Sequence, residues 1–327
     1  DGSVKLNVFS FVIGTATFRM TRRTIDVDQN GNGILSTAEK DLDDATLLTF
    51  ELSDLTLFTG IGNPDSDHDG DFDASDNPAI TGAIGFALTG GKLGIAVIRA
   101  NPTKIAGDNR SYLAMTSRIG SASLIGLPAV QITASNVAVE INRASGVVPL
   151  SSPAVAPTPL DWSKALELTG NSSFMDPLKF FDGTASEIIL NLAGVFTRVA
   201  GDLNMHAFDV LEANAHFEMV VRTVDVDYDG GAPDIKLNDA QLLTIDLELF
   251  DPDGSGSQKA LFIGAGAVGF SVDSGQLILA VVKANPPPSG VDRTFRLLSG
   301  EVHGAKLLGL PTDIVVEAPL LFFLSND

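Results

Sequence analysis

The chain has no cysteine, one tryptophan and two tyrosines in 327 residues, and 21 basic residues against 41 acidic ones. Each shortage removes a class of answer. Without cysteine there is no disulfide framework, no thiolate zinc site and no cysteine nucleophile, which leaves a hard cation as the available staple. A formal charge of −20 repels phosphate backbones and anionic lipid, so nucleic acid is excluded as a partner. Long apolar runs are also missing. The stretch 318–324 is typical and falls far short of the roughly 20 residues a helical span requires, so membrane insertion is not expected.

What the chain does have is a duplication. Leu6, Phe9, Arg23, Thr24, Asp26 and Asp28 return as Met205, Phe208, Arg222, Thr223, Asp225 and Asp227, 199 residues on. Leu47-Leu48-Thr49-Phe50 matches Leu242-Leu243-Thr244-Ile245, and Arg110 with Gly126-Leu127-Pro128 matches Arg293 with Gly309-Leu310-Pro311. The offset falls to 195 across a first acidic loop and to 184 across a second, so copy one carries the longer loops. The expected modules are 1–146 and 161–327, joined by an extended proline-rich linker over 147–160. Residues 162–199 have no counterpart before Asp1. Copy one therefore reads as incomplete at its N-terminal side, and the chain as a window from a longer series.

Inside each copy the dominant period is two. Val4, Leu6, Val8, Val12, Ala16, Phe18 and Met20 alternate with mostly polar neighbours, and Leu203, Met205, Ala207, Leu211, Ala215, Phe217 and Met219 repeat the pattern. The fold class is all-β, with antiparallel strands in two tandem related modules. The pattern fits a sandwich and an extended curved meander equally. Residues 82–99 read as a hairpin turning on Gly90-Gly91, and 122–125, 130–134 and 137–141 as short strands. Minor helices are expected at 37–42, after the first acidic loop, and at 238–243.

The acidic loops carry the chemistry. Asp28, Asn30, Asn32, Ile34, Ser36 and Glu39 occupy positions 1, 3, 5, 7, 9 and 12 of the twelve-residue EF-hand loop, with Gly33 at the sharp turn and Ile34 offering its carbonyl. A calcium ion needs six or seven oxygens, and a chain that doubles back after its fifth residue supplies them. The second loop places Asp65, Asp67, Asp69, Asp71 and Asp76 at positions 1, 3, 5, 7 and 12, where the aspartate gives a shorter last ligand. Copy two keeps a shortened version through Asp225, Asp227, Asp229 and Asp234. Asp251-Pro252-Asp253 has no acid at position 12 and reads as a turn.

Other motifs are weaker. Gly264, Gly266 and Gly269 spell a dinucleotide fingerprint but lead into strand and turn rather than a helix, so tight hairpin packing is expected. His68, His206, His216 and His303 lie beside no evident nucleophile, so no catalytic residue is assigned. Trp162 is expected to anchor in the core, with Ala165, Leu166 and Leu168 following it.

Taken together, a β-repeat of about 200 residues, acidity, calcium loops and a proline-rich joint resemble the repeat modules of giant bacterial cell-surface or secreted proteins of adhesin or haemagglutinin-like type. The loops alone resemble those of EF-hand and dockerin modules. The resemblance implies an extracellular or cell-surface location and a non-enzymatic structural or adhesive role, with calcium stiffening the modules. Two further readings stay open: a calcium-dependent module binding carbohydrate or another surface ligand, and a subunit of a self-assembling filament or surface layer. Neighbouring repeats of the same or another chain are the implied partners.

Overall fold

The computed structural model describes residues 1–8, 12–73, 75–151, 153–170, 173–227, 236–252, 259–284, 294–311 and 314–326. It is nearly all strand, and the strands form one long antiparallel meander. The first six are β1 (Gly2–Val8), β2 (Val12–Val27), β3 (Leu42–Ile61), β4 (Ile84–Arg99), β5 (Ser111–Ile125) and β6 (Val130–Ser145), each hydrogen-bonded to the next. Alternating apolar residues let one face of such a strand bury while the other stays wet. No helix among the described residues is long and apolar enough to cross a membrane.

After β6 the chain leaves the sheet and lies over it. Residues 160–192 carry β7 (Leu166–Glu167), which pairs with the end of β2, and the small ladder of β8 (Leu178–Phe180) with β9 (Ile188–Leu190). Leu160, Trp162, Leu166, Phe180 and Leu190 are buried against Ile25, Leu47, Ile98 and Tyr112 of the first six strands, forming the main core. Trp162 is fully enclosed. Its indole nitrogen donates to Asn142 Oδ1 at 2.9 Å, and the Asn142 amide donates in turn to the carbonyls of Leu160 and Gly194. Gly94 on β4 makes room for this cover, because a Cβ there would run into the Phe180 ring.

The chain then resumes the sheet with β10 (Phe196–Ala207), β11 (Leu211–Asp227), β12 (Lys236–Leu249), β13 (Leu261–Ala265), β14 (Val268–Val272), β15 (Ser274–Lys283), β16 (Thr294–Leu308) and β17 (Val316–Asn326). The two halves have matching registers: Gly2↔Phe18 through Val8↔Val12 return as Gly201↔Phe217 through Ala207↔Leu211. Within this scheme β12 and β13 together stand for β3, and β14 and β15 for β4. The halves meet by direct pairing of β6 with β10, so one sheet runs through the repeat boundary.

Copy two has no cover over its sheet among the described residues. Ile278 and Leu297 stand where copy one has Gly94 and Ala114.

Several sequence expectations are corrected. Gly90-Gly91 does not turn the chain. Gly90 takes a positive φ of 68° inside the continuous strand β4, where the register to β3 shifts, because both halves of β4 keep the same neighbours. Residues 238–243 are strand within β12, and Gln241–Leu243 pair with both β11 and β15. The short strands expected at 122–125, 130–134 and 137–141 belong to the long β5 and β6. Of the helix expected over 37–42, only one 3-10 turn, Thr37–Glu39, is present, and a second such turn is Pro78–Ile80. The glycine fingerprint is the β13–β14 hairpin: Gly264 faces Gly269 as Gly60 faces Gly85, under Phe262 and Phe58 respectively.

Candidate metal centres

Loop 28–41 joins β2 to β3 and loop 62–83 joins β3 to β4, so the acidic loops lie at opposite ends of β3. At about 3.3 Å per residue, that strand separates them by up to about 65 Å. They are two separate candidate sites.

In the first loop Asp28 is 0% exposed, and its amide donates to the Ala165 carbonyl at 2.9 Å, fixing the loop's entry against the cover. Its carboxylate gathers the turn. Oδ1 accepts from the amides of Asn30 (3.1 Å) and Gly31 (2.8 Å), and Oδ2 from Gly33 (2.5 Å). Asn30 Oδ1 accepts the Asn32 amide and Asn32 Oδ1 the Ile34 amide, each at 2.9 Å. The Asn32 side-chain amide reaches Glu39 Oε2 at 3.0 Å, joining positions 5 and 12. Gly31 and Gly33 take the positive φ values, 70° and 83°, that this winding demands.

One residue in this loop escaped the sequence pattern. Asp41, 1% exposed, accepts the amides of Gln29 and Ser36 at 2.8 Å each and so closes the loop. Burial raises its carboxyl above the ordinary aspartate value. The two amides oppose that shift, while the charges of Asp28 and Glu39 add to it. Arg110 braces the loop from inside. Its guanidinium forks onto Asp108, with Nε to Oδ1 at 2.9 Å and a second nitrogen to Oδ2 at 2.6 Å, and reaches the Gln29 side chain and the Lys40 carbonyl. Gln29 also donates to the Tyr112 hydroxyl.

The second loop repeats this frame. Asp65 Oδ1 accepts the His68 amide at 2.5 Å and Oδ2 the Gly70 amide at 3.1 Å, at the same spacings as in the first loop. Asp67 accepts from Asp69 and Asp69 from Asp71, both at 3.2 Å. Its carboxylates converge in two groups, Asp65 with Asp67 and Asp76, and Asp69 with Asp71 and Asp73, each with oxygens mutually within 4.8 Å. Such clusters can hold a metal ion. Asp73, at position 9, was not among the sequence-derived ligands, although that position carries an oxygen ligand in the twelve-residue pattern.

Charge in the second group is poorly balanced. Asp71 Oδ1 is buried and has no hydrogen-bond partner, while its other oxygen pairs with Lys5. The Asp71 amide lowers the Asp69 carboxyl, but the adjoining Asp71 carboxyl, burial and the charges of Asp67 and Asp71 prevail, and the group is raised. Asp73 is held low by hydrogen bonds from Ser75. The loop's Phe72 packs on Phe58 with ring centroids 6.1 Å apart, tying the site to the sheet.

A third acidic group, Asp26 with Asp43 and Asp44, has a protein cation already: Lys104 lies 2.9 Å from Asp43 and 2.7 Å from Asp44. Asp26 accepts the Asp44 amide at the β2–β3 bulge. Asp225 does the same for Asp239 in copy two, at 2.9 Å, with Asp44 and Asp239 at φ 51° and 54°. Asp225 thus shares a role with Asp26, and Asp227, at the end of β11, stands at the position of Asp28. Asp229 and Asp234, like Asp253, lie outside the described residues. The second loop of copy one has no long counterpart: β13 turns directly into β14 at Gly266. The Asp251 segment instead lies between β12 and β13.

His216 pairs with Asp202 and stacks on Phe250 at 4.0 Å, His303 lies near Glu301 and His206 near Asp209. No protein family model, curated protein or solved structure matches this chain.

Proposed function

We propose that the chain is a calcium-stabilised, non-enzymatic structural or adhesive repeat of a large secreted or cell-surface bacterial protein. The observation that carries this reading is the shared frame of the two loops, in which a leading aspartate gathers the backbone amides, together with the carboxylates of the second loop, which converge in two groups of three with Lys5 as the cation on Asp71. Oxygen-only donors suit a hard cation. A loop rich in carboxylates suits calcium, with its six to eight ligands, better than magnesium, which keeps its water and strict octahedral geometry. Extracellular calcium is millimolar, so even weak loops of this kind fill there. An uninterrupted sheet through the repeat boundary suits an extended load-bearing element.

Titration calorimetry of chelator-stripped protein tests the reading. Calcium is expected to bind at both loops of copy one, with magnesium much weaker, and Asp67→Asn is expected to remove one of the two binding events. Absence of binding heat together with an unchanged melting curve would rule the calcium assignment out.

A further inference from the structure

One cavity has a polarity opposite to that of the chain. It lies where the rim of the cover meets β4, β5 and β6, and its volume is about 480 Å³. Lys92, Arg118 and Asn136 line it from the sheet, and Ala185 and Ser186 from the segment between β8 and β9. Among the described residues no carboxylate lines it, in a chain with 41 acidic residues and 21 basic ones. Lys92 and Arg118 stand directly opposite one another in the β4–β5 ladder, so their side chains share a face. The next pair on that face is Gly94 with Thr116, and the Phe180 ring of the cover stands over Gly94. The two cations therefore sit at the edge of the cover.

Lys92 Nζ donates to Ser186 Oγ and lies 6.0 Å from the Phe181 ring centroid. Arg118 is exposed and has no hydrogen bond or ion pair among the described residues. Neighbouring acids are engaged elsewhere. Glu51 and Asp54 line a separate recess that Lys92 also borders, and Glu51 accepts the Phe181 amide. Glu140 pairs with Arg198, and Asp202 accepts from the Asn136 side chain. Like charges directly opposite one another cost stability, and the fold does not demand them. Lys92 corresponds to Gln276 as Gly85 does to Gly269, and Arg118 to Glu301 as Arg110 does to Arg293. Gln276 and Glu301 are again directly opposite in their ladder. A like-charge pair kept in one copy alone, on the wall of a cavity, marks a ligand site rather than a need of the scaffold.

An arginine fork beside an ammonium suits an oxyanion, a carboxylate or a sulfate. The volume falls within the roughly 300–1,000 Å³ of small-ligand sites, more than a bare anion fills. The rest of the wall is mostly small or polar, with Ala138 and Ala185 beside the Ser186 hydroxyl and the Asn136 amide, which suits a hydroxylated body better than a hydrocarbon one. We propose that this cavity binds an acidic sugar, its carboxylate or sulfate held between Lys92 and Arg118. The site goes beyond the calcium reading and does not rest on it, since no residue of either acidic loop lines the cavity.

Titration calorimetry with glucuronate and with glucose 6-sulfate tests it, with glucose as the neutral control and sodium sulfate as the bare anion. Saturable binding of at least one acidic sugar is expected, unchanged by chelator, weakened by added salt and matched by neither control. The better of the two sugars identifies the oxyanion. Lys92→Gln/Arg118→Glu installs the pair that copy two already carries. It is expected to melt like wild type and to bind the acidic sugar at least about tenfold more weakly. Arg118→Ala, at an exposed position, is a second variant with the same expected direction. Absence of saturable binding of both acidic sugars overturns the proposal. So does full binding by either folded variant, or bare sulfate bound as tightly as the sugars.

Discussion

Asp41 and Asp76 close the two acidic loops in the same way, although they stand thirteen and eleven residues after their leading aspartates. Asp41 accepts the amides of Gln29 and Ser36, and Asp76 accepts those of Ser66 and Asp73, the residues at the same loop positions. Asp76 also belongs to the carboxylate group of Asp65 and Asp67. In the second loop one residue is therefore both frame and candidate ligand. In the first loop the jobs are divided, with Asp41 holding the frame and Glu39 extending to Asn32.

That division separates two mutations. Asp41→Ala leaves two amides without their acceptor in a buried setting, at a cost of about 1–3 kcal/mol for each. The melting temperature is expected to fall by several degrees with calcium or with chelator. Glu39→Gln keeps the frame, so its melting curve in chelator should match wild type while calcium affinity at the first loop falls. Differential scanning calorimetry in both conditions, beside a calcium titration, distinguishes the two patterns.

Calcium removal should act twice. An ion present at a hundredfold excess over its dissociation constant adds about 2.7 kcal/mol of stability. The frames lie at opposite ends of β3 and share no residue, so their contributions should be nearly additive. Asp67→Asn is expected to abolish about half of the melting-temperature gain produced by calcium, and a variant also carrying Glu39→Gln most of it. A full response retained in the double variant would place the ions elsewhere.

Much of this organisation was legible in the residues. Alternation through Val4–Met20 and again through Leu203–Met219 gave strands, and the repeat offsets gave the residue correspondence between the two halves. The loops were readable because the twelve-residue pattern fixes chemistry by spacing. Asp41 lay two residues outside that pattern, and only the folded chain shows that Gln29 and Ser36 need an acceptor there. Gly90-Gly91 misled because a glycine pair serves a bulge as well as a turn, and the choice rests on partner strands remote in sequence. The cover over copy one was equally hidden: Trp162 announced burial, while its location depended on the space left at Gly94. The continuous sheet across the boundary follows from the pairing of β6 with β10, which no local pattern encodes.

The boundary itself should respond to acid. The Asn136 side-chain amide, 2.7 Å away, lowers the Asp202 carboxyl below the ordinary aspartate value, and His216 on the other side adds to this against partial burial. Asp202 pairs with Ser135 across β6 and β10. A carboxyl lowered by folding contributes stability above its unfolded value of 3.8 and loses it as pH falls through the folded value. Asp202→Asn should therefore be less stable than wild type at neutral pH and converge with it in acid, below the unfolded aspartate range. Melting temperatures of both proteins across a pH series check the sign. A gap that stays constant with pH would show that the side chain acts through packing rather than charge.

The cover can be followed with a single reporter, because Trp162 is the only tryptophan. Asn142 holds it from the sheet, accepting the indole N–H and donating to the buried Leu160 carbonyl and to the carbonyl of Gly194 at the surface. Asn142→Ala leaves the indole N–H and the Leu160 carbonyl unpaired in the core, at about 1–3 kcal/mol for each buried polar group stranded. The loss should fall first on the cover, whose hold on the sheet depends on the bonds that are cut. Tryptophan emission in the variant is then expected to shift to the red at a lower denaturant concentration than the loss of β circular dichroism, whereas in wild type the two transitions coincide. Asn142→Asp is the control: it keeps the acceptor for Trp162 but loses both amide donations. Its second oxygen would face the two carbonyls in a site with no exposure, so its fluorescence midpoint should fall at least as far as that of Asn142→Ala. Coincident transitions in all three proteins would show that the cover and the first six strands unfold as one unit, with Asn142 contributing to the whole rather than to the cover alone.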